Sequence, residues 1–193
     1  GILVEGCTET PDDNQIIGAT VQNNALNGIA LFGGFGNQVK SSTITGNNAS
    51  QSVGGYGGIV VLNGSGAIES SRIYNNLCTG VYVDESAGVQ ISGNLIYGNP
   101  EGVRFGYVND ASATSNTITA NNSAGIVIED GALPMIKYNI LYGNNTDNNH
   151  YTDMSLEGDF NPANLIENNI GTVNQIDLPP TNISVDPQFC ANA

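Results

Sequence analysis

A six-residue segment ending in Asn recurs along this chain: Ala19–Asn24, Ser42–Asn47, Ser71–Asn76, Asn94–Asn99, Asn116–Asn121 and Asn139–Asn144. The third residue of each is aliphatic (Val21, Ile44, Ile73, Ile96, Ile118, Leu141), at steps of 23, 29, 23, 22 and 23 residues. Five residues before each stands a second, mostly large apolar set: Ile16, Val39, Ile68, Ile91, Ala113 and Ile136. A further motif follows most of the Asn turns and reads Gly-apolar-x-apolar at Gly28–Leu31, Gly58–Val61, Gly80–Val83, Gly102–Phe105 and Gly125–Ile128. Its period of two describes short strands with one buried face, and the apolar spacing of a helix is not sustained. Each repeat is one winding of chain, three short strands joined by turns, that cannot bury its own apolar residues. Stacking windings ~4.8 Å apart pairs every strand with its neighbours above and below and closes a continuous core. The expected fold is all-β, a single-stranded parallel solenoid of about six to eight coils.

The same stacking sets equivalent side chains in columns. Asn94, Asn116 and Asn139 are expected to form an amide ladder, each side chain bonding the next. Ser42 and Ser71 hold that position earlier, which confines the expected ladder to the later coils. The step of 29 marks an insertion near Ser50 to Tyr56 that bulges from one turn. Beyond 145 the period fades, except in Asn164–Asn169, which reads as a last degenerate coil. Residues 1–145 are therefore read as repeats, and 146–193 as an irregular segment packed on the same solenoid. Such a cap covers an open end, where an exposed strand edge invites pairing with other chains.

The Gly-Ile-x-Ile and Asn-x-Ile-x-x-Asn patterns resemble the right-handed parallel β-helix repeats of the pectate-lyase-like superfamily, over about residues 1–145. The tail Ser184–Cys190 is similar to a segment that closes such helices in secreted bacterial proteins, usually ahead of a further Cys. The resemblance thus implies a secreted or cell-surface protein, of which this chain is a fragment, and a partner for Cys190 beyond Ala193. It implies a fold rather than an activity, because the scaffold hosts lyases, hydrolases, epimerases, adhesins and plain stalks.

Charge narrows the partners. Eighteen acids face four Lys and Arg, a formal net charge of −14. Phosphate backbones and anionic lipid surfaces would be repelled over most of the molecule. No run of 18 apolar residues exists to span a membrane. Cys7, Cys78 and Cys190 form no CxxC or Cys/His constellation, so zinc has no support. Clustered acids leave Ca²⁺ as the conceivable cofactor, although Asp12, Asp13 and the acids from Asp147 to Asp159 lack EF-hand spacing.

Enzymes of the resembling superfamily that cleave polysaccharides keep their cleft on the outer face of one sheet, here taken as that of the Gly-apolar-x-apolar strands. Alternation points Ala30, Val60, Tyr82, Arg104 and Val127 outward, and two residues on Phe32, Leu62, Asp84, Gly106 and Glu129. Arg104 then stands among Tyr82, Asp84 and Glu129, with Glu101 and Asp130 at the adjoining turns. The resemblance implies Arg104 as the base of a uronate lyase or epimerase, with Asp84, Glu129 and Asp130 holding Ca²⁺. Tyr82, Asp84 and Glu129 would contact the polysaccharide. The leading expectation, to which the lyase or epimerase is the alternative, is an outer-face Arg paired with acids in a structural or carbohydrate-binding module without catalysis. A third expectation is self-association through the solenoid ends into a filament. His150 stands alone in an irregular stretch and is read as a loop residue, while Lys40 and Lys137 share one outward repeat position. Tyr74, Tyr97 and Tyr142 share a column and are expected to pack on neighbouring coils.

Overall fold

The computed structural model describes residues 1–6, 12–48, 56–147, 153–157, 166–167, 169–171 and 181–182. Three sheets run its length. The first stacks Ile2–Glu5, Ile29–Phe32, Gly57–Leu62, Thr79–Asp84, Glu101–Phe105, Ala124–Ile128 and Met154–Leu156. The second stacks Gln15–Ile17, Asn37–Lys40, Gly66–Glu69, Gln90–Ser92, Val108–Thr114, Leu133–Lys137 and Ile166–Glu167, with Ser86–Ala87 pairing on Val108–Thr114. The third stacks Thr20–Gln22, Thr43–Thr45, Arg72–Tyr74, Leu95–Tyr97, Thr117–Thr119, Ile140–Tyr142 and Ile170–Gly171. Pairing is parallel throughout these sheets. The chain visits the three sheets in turn and returns one strand further along, so the molecule is the solenoid that the repeat requires.

The apolar columns meet as expected. Val21, Ile44, Ile73, Ile96, Ile118 and Leu141 are successive partners in the third sheet. Ile16, Val39, Ile68, Ile91, Ala113 and Ile136 do the same in the second. Together with the inward residues of the first sheet they make one core, in which Ile44, Ile73, Ile96 and Ile118 have no exposed surface. Burying each such side chain contributes about 1.5–3 kcal/mol.

Sharp corners make so narrow a prism possible. Just before the last Asn of the motif the backbone turns left-handed, at Asn23, Gly46, Asn75, Gly98, Ala120 and Gly143 (φ 51 to 65°). Glycine and asparagine adopt this conformation at little cost. Between the second and third sheets Gly18, Ser41, Ser70, Gly93, Ser115 and Tyr138 do the same. The abundance of Asn, Gly and Ser thus reflects two left-handed corners in every coil.

Two ladders, rather than the one expected, line those corners. In the first, Asn94 Nδ2 donates to Asn116 Oδ1 and Asn116 Nδ2 to Asn139 Oδ1, at 3.0 Å each. It extends beyond the expected three residues in both directions. Toward the C-terminus it continues through Asn169 to Asn182. Toward the N-terminus Ser42 and Ser71 belong to it, because a hydroxyl oxygen accepts the same backbone N–H as an amide oxygen does. The second ladder was not anticipated. It runs through Asn24, Asn47, Asn76, Asn99, Asn121 and Asn144, each Nδ2 donating to the next Oδ1, and ends on the buried carboxylate of Asp153. This ladder also explains the glycine of Gly-apolar-x-apolar. A Cβ on Gly80 would lie 3.0 Å from Asn99 Nδ2 and 2.6 Å from the Gly102 carbonyl, and Gly58 and Gly125 meet Asn76 and Asn144 in the same way.

The last coil departs from the expected register. Ile166 pairs with Ile136 in the second sheet, not with Leu141 in the third, and Asn169 bonds to Asn139. An aliphatic residue three before an Asn occurs twice per coil, at Ile136–Asn139 and at Leu141–Asn144, so that spacing by itself fits either position. Strands on both sides of 145 belong to the same three sheets. Most of the insertion at Ser50 to Tyr56, and Cys7, His150 and Cys190, lie outside the described residues.

Candidate functional site

The outer face of the first sheet carries the columns that alternation assigned to it. Leu3, Ala30, Val60, Tyr82, Arg104, Val127 and Ser155 are successive neighbours, and Phe32, Leu62 and Asp84 follow two residues on. Val60 and Val127 face outward yet are 0% and 1% exposed. The face is therefore not an open floor along its whole length.

A cleft of about 380 Å³ opens on it, with Tyr56, Thr79, Tyr82, Glu101, Arg104 and Glu129 in its lining. Tyr56 stacks on Tyr82 with ring centroids 4.7 Å apart. Arg104 sits at the centre of a carboxylate cage. Its Nε and Nη2 donate to the two oxygens of Glu101 at 2.9 and 3.0 Å. Nη1 donates to Glu129 at 2.7 Å, and Nη1 and Nη2 both reach Glu157, at 3.1 and 3.2 Å. Five hydrogen bonds use the five N–H groups that a guanidinium possesses. Glu101, Glu129 and Glu157 come from three successive coils, so the cage ties windings together. Burial pushes the Arg104 pKa down, but bonding to Glu101 and its charge, then to Glu157 and Glu129, outweigh it and leave the value above that of free arginine.

Asp84 is spent elsewhere. Its Oδ2 accepts the Tyr82 hydroxyl at 3.0 Å, and its Oδ1 accepts the backbone N–H groups of Glu85 and Tyr107 at 2.9 and 2.7 Å. Gly106 leaves the room for this, since a side chain there would collide with the Asp84 carboxylate. Asp130 is exposed. The structure thus brings Tyr82, Arg104 and Glu129 into one cleft, but commits Asp84 to Tyr82 and Glu129 to Arg104. Among the described residues no group of three or more His, Cys, Asp and Glu is placed to hold a metal. Asp84, Glu129 and Asp130, the expected Ca²⁺ donors, form no such group.

Burial, the Asp84 hydrogen bond and the charges of Asp84 and Glu129 all raise the Tyr82 pKa above its ordinary value of ~10. The unfolded chain then releases this proton at lower pH than the folded one, so stability falls as pH rises above ~10. Phenolate absorbance of the folded protein is expected to show a late step that Tyr82→Phe lacks. A titration in which the variant retains that step would contradict the burial described.

Reasoning from the repeat missed Glu157, Tyr56 and Thr79. Glu157 follows Met154–Leu156, the one first-sheet strand of the later coils without the glycine motif. Tyr56 ends the insertion, and nothing in its spacing signals a partner on the next coil, 26 residues on. Elsewhere Lys40 and Lys137 pair outward with Glu69 and Glu167 at 3.3 and 3.0 Å. Tyr74 and Tyr97 stack 4.8 Å apart, while Thr119 separates Tyr97 from Tyr142 in the same column.

Stacked parallel coils, paired amide ladders and an outer cleft define a β-helix repeat protein. The chain belongs to the family described as right handed beta helix region, whose model matches residues 1–132 and 57–177. No curated protein and no solved structure matches the chain.

Proposed function

We propose that this chain is a non-catalytic module of a secreted or surface protein, and that it binds carbohydrate in the Tyr56–Tyr82–Arg104 cleft. The observation that carries this reading is the pairing of aromatic surface with hydrogen-bonding oxygens in one concave site. Sugar rings present C–H faces that pack on aromatic rings and hydroxyls that need polar partners. Thr79, Glu101 and Glu129 supply such partners beside the stacked tyrosines.

The state of Arg104 weighs against the lyase and epimerase alternative. A base must shed its proton before it can take one from substrate. Three carboxylates hold this guanidinium in its charged form and leave no N–H to stabilise an enolate.

Glycan-array binding followed by calorimetry tests the proposal. Binding is expected without turnover, and Tyr56→Ala, which removes a half-exposed ring, is expected to weaken it about fivefold. Release of unsaturated product from uronate polymers, abolished in Arg104→Ala, would replace the module reading with the lyase one.

A further inference from the structure

We infer that the cleft selects a cationic amino sugar and rejects uronates, an inference that rests on reading the cleft as a carbohydrate site. Glu101, Arg104 and Glu129 line it. Glu157 holds the same guanidinium, and Asp84 holds the hydroxyl of Tyr82 in the same wall. Four carboxylates against one guanidinium leave three negative charges uncompensated.

The bonding adds a second constraint. A uronate carboxylate entering the cleft is repelled and finds no vacant N–H on Arg104, because all five are already donating. A protonated sugar amine meets the opposite situation. Glu129 accepts from Arg104 through Oε1 alone, and its side chain is 35% exposed. Its Oε2, without a partner among the described residues, is the acceptor for an ammonium, and such charge-assisted bonds are short and strong. Tyr56, exposed and stacked on the buried Tyr82, offers an aromatic ring beside it, and such rings also favour cations.

Calorimetric titration at low salt and about pH 6, where the sugar amine is protonated, compares oligosaccharides of equal length built from glucosamine, N-acetylglucosamine and galacturonate. The glucosamine oligomer is expected to bind about tenfold more tightly than its acetylated counterpart. That advantage shrinks in ~0.5 M NaCl, and galacturonate does not bind. Glu129→Gln keeps the side chain's shape and is expected to lose most of the advantage, with an unchanged unfolding midpoint showing that it folds. Should it not fold, the salt dependence of the unmodified protein still decides. Oligolysine of matching charge controls for bulk attraction to the acidic surface.

Equal affinity for amine and acetamide, a preference for galacturonate, full preference retained in a folded Glu129→Gln, or equally tight oligolysine would each overturn the inference and leave the carbohydrate reading standing. Failure of all three sugars to bind overturns both.

Discussion

Asn99→Ala is expected to lower the stability of this protein by about 4 kcal/mol. Asn99 is fully buried at the midpoint of the second ladder. Its Oδ1 accepts both the backbone N–H and the Nδ2 of Asn76, at 3.0 Å each. Its Nδ2 donates to the carbonyls of Ile73 and Tyr97 and to Asn121 Oδ1. Alanine removes one residue's hydrogen bonds and strands polar groups on the coils above and below, each costing about 1–3 kcal/mol when buried. Partial relaxation keeps the total below the sum. Asn63→Gly is the matched control: Asn63 is exposed at φ 53°, a conformation that glycine also adopts, and a change within ~0.5 kcal/mol is expected. Urea unfolding of the two variants checks both values. A loss under ~1 kcal/mol for Asn99→Ala would mean that the ladder is not the seam between coils.

Arg104→Ala is expected to cost about 2 kcal/mol. The loss comes less from the missing bonds than from leaving Glu101, Glu129 and Glu157 facing one another without their shared cation. Breaking a fully buried pair costs about 3–5 kcal/mol. Here Arg104 is 21% exposed and Glu157 36%, so solvent moderates the repulsion. The sign of the salt effect separates this account from simple loss of packing. In ~1 M NaCl the cage weakens in the parent and the repulsion weakens in the variant, so the gap between their unfolding midpoints narrows. A gap independent of salt would point to packing alone.

Much of this architecture is legible in the chain. Ile44, Ile73, Ile96 and Ile118 recur at nearly one interval, and only a stacked winding makes neighbours of residues so spaced. The alternation in Gly80–Val83 and Gly102–Phe105 likewise put Tyr82 and Arg104 side by side on an outer face. Two elements resisted that reading for physical reasons. The second Asn column was in plain view at the end of every motif. Asparagine there serves equally as a turn residue, and only stacked coils show its amide turned inward to the next. Ile166 fits either of two positions in a coil, and the order of the sheets chooses: after Met154–Leu156 in the first sheet the chain reaches the second next.

The site divides along the same line. By itself the sequence determined the winding, its core columns and the identity of the outward residues, because these follow from periodicity and from the steric alternation of a strand. Only the tertiary structure decided what the outward residues bond to. Asp84 and Glu129 lie equally near Arg104 by register, yet Asp84 turns to Tyr82 and two amides while Glu157, 53 residues beyond Arg104, completes the cage. Side-chain rotation chooses among neighbours that the backbone merely brings within reach, and that choice appears nowhere in the repeat.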